Sequence, residues 1–371
     1  MSDDRRAVER VMSGQVWTDY CRMLEMAGQV ILREGSPDDP FDRAEGFRYL
    51  SRLARAGLEA FLEHADPQAP ELRRMVHETV KMGSDNPDNL YFNASVSGAH
   101  RYRLSGTRGS VNYLAFGTQR GGLGEGAGLP PTGFLEAADL VLDDDGRFEI
   151  VVSCDRAGHN WLPMEPETGM LIVRQTFMDR ENEEPATLHL ERIDGPHQAR
   201  PLTPAALDAG LARAGRLVGG AAAMFANWAE GFAEHTNQLP RFDQELSNAS
   251  GGDPQIAYYH GYWRLADDEA LVIEATPPAC RHWNFQLNNH WMESLDYRYH
   301  PVTVNKASAQ YEPDGSVRVI VAHRDPGVAN WITTAGHRRG TMCWRWIAAD
   351  EHPSPRARVV PWSSLSRVED R

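Results

Sequence analysis

The chain has 371 residues, a formal net charge of −14 and a hydrophobic share of 41%, the make-up of a folded globular protein. Nucleic acid is excluded as a partner, because the acidic balance offers no clustered Lys and Arg to displace its counterions. A membrane span is excluded too, since no run reaches the roughly 18 apolar residues it needs.

Residues 7–33 and 41–64 are expected to be helical. In the second stretch Phe47, Leu50, Ala54, Leu58 and Phe61 recur at three-to-four spacing, and Pro40 supplies a start signal. A third helix is expected near 69–82, ended by the turn residues of Asp85-Asn-Pro-Asp-Asn89. From residue 90 the texture changes to short alternating runs joined by Gly, Asp and Pro.

Those runs contain an internal repeat. Asp145-Gly146 and the strand after it match Asp314-Gly315 and its strand. Asn160-Trp161-Leu162 matches Asn330-Trp331-Ile332, and Arg174 falls near Arg345, all at an offset of about 170 residues. Tyr102-Arg103-Leu104 is matched upstream with Trp263-Arg264-Leu265. The Asp-Gly pairs read as tight turns. Two half-units that each bury one sheet face would pack against each other as a sandwich. Between them Thr203 and Pro204 open a long amphipathic helix over 203–236, softened at Gly219-Gly220. The fold class is therefore α+β: a two-unit antiparallel β-sandwich with an N-terminal helical layer and a long helix between the units. The regions are 1–88 (helical), 89–200 (first β-unit), 201–248 (helical connection), 249–350 (second β-unit) and 351–371 (a tail over the surface).

The run Arg281-His-Trp-Asn-Phe-Gln-Leu-Asn-Asn-His-Trp291 carries the main functional signal. As a strand it turns His282, Asn284, Gln286, Asn288 and His290 to one face and Trp283, Phe285, Leu287, Asn289 and Trp291 to the other. The second face wants a core. The first, a row of imidazoles and carboxamides without Lys, Glu or Thr, reads as the wall of a wet cavity.

Other chemistry is dispersed. Gly121-Gly-Leu-Gly-Glu-Gly-Ala-Gly128 resembles a dinucleotide turn, but Pro130-Pro131 prevents a helix from receiving a pyrophosphate, which leaves a loop or lid. His282 and His290 lie roughly 26 Å apart along a strand and cannot share a metal ion, so neither metal nor cofactor is expected. His159-Asn160-Trp161, Asn330-Trp331, His337 and Arg345 are candidate partners at the sandwich rim. Asp155, Glu165, Glu293 and Asp296 are candidates for a glycosidase-type carboxylate pair. The rival reading makes the Trp residues core anchors, the Asn residues turn formers and the Arg residues members of buried ion pairs.

Glu45-Gly46-Phe47-Arg48-Tyr49-Leu50, Asp85-Asn-Pro-Asp-Asn-Leu-Tyr91, Trp283-Asn284-Phe-Gln-Leu287, Trp291-Met-Glu-Ser-Leu-Asp296 and Asp325-Pro-Gly-Val-Ala-Asn-Trp331 resemble bacterial proteins carrying the domain of unknown function numbered twelve-fourteen. The resemblance covers about residues 40–350. It implies a β-sandwich with helices and carries over no catalytic residues.

The expectation is an enzyme acting without a cofactor on a hydroxylated small molecule, with a hydrolase or lyase on a carbohydrate or glycoside favoured. His282, Glu293 and His337 would be its acid–base groups. Asn284, Gln286, Asn288, His290, Asn160, Trp161, His159, Asn330, Trp331 and Arg345 would hold the substrate. The alternatives are a non-catalytic binder of a similar polar or sterol-like ligand, and a structural or interaction protein. A small molecule is the expected partner, and a homo-oligomer stays open. Cys21, Cys154, Cys280 and Cys343 form no Cys-x-x-Cys pair, and no signal-like apolar stretch follows the first residues; together these point to the cytoplasm.

Overall fold

The structure, a computed structural model, describes residues 3–123 and 128–365. Its helical layer begins with α1 (Asp3–Met12) and α2 (Gln15–Leu32). These replace the single helix expected over 7–33, because Gly14 between them adopts φ 74°. Helix α3 (Pro40–Leu58) starts as its sequence dictates: the Asp39 carboxylate accepts from the backbone N–H of Phe41 and Asp42, and Pro40 sits at the first turn. It runs into one π-helical turn, Glu59–Glu63.

The third expected helix does not form. Residues 69–82 are irregular, with Arg73 exchanging backbone hydrogen bonds of 3.0 and 2.8 Å with Asn93. Lys81 is drawn inward, its Nζ 2.7 Å from the Ser294 carbonyl and 2.9 Å from that of Leu295. These long-range partners outweigh the modest helix propensity of a stretch holding Val76, Thr79 and Val80.

The first unit contains β1 (Asn89–Ser95), β2 (Tyr102–Thr107), β3 (Tyr113–Arg120), β4 (Pro131–Glu136), β5 (Arg147–Ser153), β6 (Trp161–Pro163), β7 (Thr168–Thr176) and β8 (His189–Arg192). The second contains β9 (Ile256–Arg264), β10 (Glu269–Ala275), β11 (Cys280–Leu287), β12 (Thr303–Asn305), β13 (Val317–Ala322), β14 (Trp331–Thr333), β15 (Arg339–Ala349) and β16 (Arg356–Pro361). The sheet orders are β1-β7-β3-β4 and β6-β5-β2-β8 in the first unit, and β9-β15-β11-β12 and β14-β13-β10-β16 in the second. Strand for strand the two units have one topology, so the duplication is real.

Three details differ from expectation. Each unit closes its own sandwich: Leu104, Phe116, Ile150 and Val173 pack within the first, and Leu271, Phe285, Val319 and Trp344 within the second. The match of Tyr102 with Trp263 is accidental, since Tyr102 opens β2 while Trp263 lies near the end of β9, which occupies the place of β1 in the second unit. The tail does not drape either. Residues 356–361 become β16, which pairs with β10 from Glu269↔Pro361 to Glu274↔Arg356 and completes a sheet as β8 does in the first unit.

The inner sheets of the two units face each other. At one end Tyr113, Ala115, Ile256 and Ile347 form an apolar seam. Helix α4 (Pro204–Ala233), capped by Thr203 as expected, packs on α1, α2 and α3 and on β9 and β15. The short α5 (Gln244–Ala249) follows it.

Candidate functional site

The parity expected for the 282–290 run holds along β11. Trp283, Phe285 and Leu287 enter the sandwich core, and His282, Asn284, Gln286 and Asn288 share the opposite face. The strand ends at Leu287, so His290 lies in the turn beyond it, its Nδ1 2.9 Å from the Tyr262 hydroxyl.

That face is covered by the chain itself, and His282, Asn284, Gln286 and Asn288 do not line the main hollow of the described residues. The lead-in to β1, residues 84–88, lies across it. His282 Nε2 is 3.0 Å from Asp88 Oδ2, and Asn284 Nδ2 donates to Asn86 Oδ1 (2.6 Å) and Asp88 Oδ2 (3.0 Å). Gln286 Nε2 donates to the Asp85 carbonyl at 2.8 Å and Asn288 Nδ2 to Ser84 Oγ at 2.9 Å. The amide row is a lock for this segment. Its lack of charge and its density of donors and acceptors suit a backbone as well as they suit a sugar.

The other side of the same segment does border a cavity. A hollow of about 220 Å³ lies between the inner sheet of the first unit, β9, α4 and residues 73–86. Phe61, Leu123, Leu217, Phe225, Trp228 and Phe242 form its apolar side. The lining also includes Arg73, Arg174, Arg345, Tyr91, Tyr258 and His260. Several buried polar atoms of the lining have no partner: Asn86 Nδ2, Asn89 Oδ1, Gln119 Oε1 and His260 Nδ1. Their residues are only 3–5% exposed. Native interiors rarely leave such atoms unsatisfied.

The repeat builds the polar side. Arg174 on β7 is in register with Tyr91 on β1, as Arg345 on β15 is with Tyr258 on β9. Tyr91 OH accepts from Asn86 N at 3.0 Å, and Tyr258 OH from Asp253 N at 3.3 Å. Arg345 Nη2 donates to the Ser84 carbonyl, and Arg174 Nη2 to the Gly251 carbonyl. Ser84 and Gly251 both hold a left-handed backbone, at φ 62° and 90°. Each unit's lead-in is thus gripped by the other unit's arginine. Burial raises the Tyr91 phenol, and both Arg345 and Arg174 oppose that rise. The Tyr258 phenol is likewise raised by burial and held back by Arg174 and Arg345. Both guanidiniums therefore lie within electrostatic reach of both phenols. Burial, with Arg345 second, lowers His260 to about 3 and keeps its imidazole neutral at ordinary pH. It lies parallel to Phe232 and Tyr258, with ring centroids 5.0 and 5.8 Å away.

Of the expected site residues, Arg345 alone reaches this cavity, and the others stand elsewhere. Glu293, 1% exposed, is paired with Arg52 at 2.5 Å and accepts from Asn289 at 2.8 Å. Its carboxyl is raised by burial against the pull of Arg52. His337 sits 3.9 Å from Asp42, its ring edge on Phe41. These two and His282 occupy three separate settings and form no acid–base set. The remaining carboxylates are also apart: Glu165 pairs with Arg120, Asp296 with Arg298, and Asp155 is exposed.

Asn160 clamps both backbone groups of Val141 (2.9 and 2.8 Å), and Asn330 does the same to Gln310 (2.8 and 2.7 Å). Trp161 Nε1 donates to the Ser153 carbonyl and Trp331 Nε1 to the Ala322 carbonyl, both at 3.2 Å. These are duplicated corner fasteners of the outer sheets, and His159 beside the first is exposed. Sequence reasoning missed Tyr91, Tyr258 and His260. The signal that could have found them is the repeat itself, read back from the Arg174–Arg345 match to the strands paired with them. Gly121, Gly122 and Leu123 line the cavity from the glycine-rich loop, as does Leu129 just beyond it. The rest of the expected lid, residues 124–127, lies outside the described residues.

Among the described residues no group of three or more His, Cys, Asp or Glu could hold a metal ion. No helix there is long and apolar enough to cross a membrane. The four cysteines are free, with Cys343 buried and Cys21 exposed.

Fold and site together define a class: duplicated β-sandwich proteins with a helical layer and a hollow between the repeats. The chain belongs to the DUF1214 family, described as proteins of unknown function, whose model matches residues 266–351. An uncharacterised protein from Burkholderia cenocepacia is 52% identical, with 96% of this chain and 99% of that one covered and a TM-score of 0.95. The VPA0106 protein from Vibrio parahaemolyticus shares the fold at a TM-score of 0.51 and 10% identity, over 91% of this chain and all of the other (100%). No curated protein matches the chain.

Proposed function

We propose that the chain binds a small, hydroxyl-bearing amphipathic molecule in the cavity between its two units, in the cytoplasm. The observation that carries this reading is that Asn86, Asn89, Gln119 and His260, four residues of the lining, each hold a buried polar atom without a partner, in a hollow that also has aromatic and aliphatic lining. Amides and imidazole give donors and acceptors to hydroxyls, and the rings of Phe225, Trp228 and Phe242 give apolar surface. Native mass spectrometry of the purified protein is expected to give an adduct that Ile172→Trp, which fills the hollow, removes. Adduct and affinity unchanged in that variant would sink the reading.

A second reading, an acid–base enzyme of hydrolase or lyase type working on the same molecule, is favoured by His260. A neutral imidazole in the lining can take a proton from a bound hydroxyl. With carbohydrate or glycoside substrates, turnover should fall at least about a hundredfold in His260→Asn. Turnover unchanged by that substitution would remove this second reading.

A further inference from the structure

We propose that the polar end of the ligand is a carboxylate, received by Arg174 and Arg345 where the two repeats meet. The proposal rests on the cavity being a ligand site, and it adds what that site recognises. The argument starts from charge. Arg345 is 3% exposed, yet its hydrogen bonds go only to neutral acceptors: Gln286 Oε1 at 2.6 Å, Asn284 Oδ1 at 3.3 Å and the Ser84 carbonyl. Arg174, 8% exposed, donates to the Gly251 carbonyl, and its nearest carboxylate contact is Asp253 at 3.9 Å. Asp253 is itself engaged by the Tyr113 hydroxyl at 3.1 and 3.2 Å.

A buried cation without a close anion is costly, and proteins ordinarily pair it. Asp85 is the acid in the lining; it lies within electrostatic reach of Arg345 but makes no ion pair with it. Its oxygens go to Ser294 N and Oγ at 2.9 and 2.7 Å, and burial raises its carboxyl. A third cation, Arg73, has Nε and Nη1 buried without partners. The hollow is therefore a positive pocket awaiting a negative group. Each guanidinium carries five N–H donors, so donors remain beyond the acceptors each one already holds. The planar fork of a guanidinium matches a carboxylate. The apolar part of the lining suits a compact ring or short chain attached to it.

The test uses the full-length protein and matched probes: 2-naphthoate, its neutral isostere 2-naphthamide, and 2-naphthyl phosphate, followed by calorimetry. Naphthoate is expected to bind at least about tenfold more tightly than the amide, the gain of one charge-assisted hydrogen bond. Arg174→Gln and Arg345→Gln should each lower naphthoate affinity more than naphthamide affinity and so erase most of that preference, with folding checked by circular dichroism. If Arg345→Gln does not fold, Arg174→Gln and the acid-against-amide comparison on the native protein still decide. Equal affinity for acid and amide overturns the carboxylate and leaves the cavity reading standing. Tighter binding of the phosphate overturns it in favour of a phosphoryl group. Binding of none of the three at millimolar concentration removes both readings.

Discussion

At the scale of single residues, the molecule separates groups that share chemistry but not circumstance. His260 and His290 are both lowered to about 3, in each case chiefly by burial. In the unfolded chain they take up protons near pH 6.5. Their contribution is therefore fully present above that value and is lost as pH falls towards 3, because the unfolded state then binds more protons. Buried Asp85 and Glu293, raised by desolvation, act with the opposite sign, so the effect is best read as a difference. His260→Asn, which installs the residue found at the equivalent Asn93, should flatten the loss of stability between pH 6.5 and 4 relative to the native protein. Identical urea midpoints in the two proteins across that range would contradict it. The corner asparagines give a second contrast. Asn160→Ala and Asn330→Ala should each cost about 1–2 kcal/mol, since each leaves backbone groups unpaired, and neither should change ligand affinity. Denaturant melts and calorimetry separate the two effects.

The residue scale is also where the sequence misled. Alternation along 282–288 was legible because a strand has a fixed period. What lies against that face was not, because Ser84 and Asn86 are 204 and 198 positions away from their partners Asn288 and Asn284. Composition of a face shows that it is satisfied by polar groups; it does not say whether those groups belong to a ligand or to the chain.

Elements were more legible where a local rule governs them and less so where distant contacts do. Asp39-Pro40 and Thr203-Pro204 start helices as written, and the Asp-Gly turns carry left-handed glycines at φ 73° and 82°. Residues 69–82 had no such rule and followed their distant partners. In α4 the glycines are not interchangeable. A Cβ on Gly210 would lie 2.4 Å from the Phe61 carbonyl, whereas one on Gly219 meets nothing within 4 Å. Gly219→Ala should therefore stabilise the protein by about 0.5–1 kcal/mol through helix propensity. Gly210→Ala should destabilise it by about 1–3 kcal/mol by forcing α4 from the π-helical turn. Thermal melts that move in the same direction for both would refute this account.

Over the whole molecule, the duplication was readable because Asp-Gly turns and Asn-Trp corners are short, local and repeated. The arrangement of the units was not, since nothing in a single half says whether its sheet closes on itself or on its twin. The helical layer is tied to the second unit by Arg52–Glu293, with exposures of 12% and 1%, and by Lys81 on the Ser294 and Leu295 carbonyls. Glu293→Ala strands Arg52 in a buried setting and should cost about 3–5 kcal/mol, while Arg52→Met with Glu293→Leu should cost much less. A catalytic Glu293 would instead lose turnover in both forms at unchanged stability.

The exchange of lead-ins has a consequence for what the backbone must do. Residues 84–88 are bonded to β11 and β15, residues 251–253 to β3 and β7, and the connection at 195–199 is exposed. Peptide continuity through that connection adds little to what the straps already accomplish. A single proteolytic nick there should yield two fragments that travel as one body in gel filtration and part only in denaturant, each half keeping the latch that shuts the other.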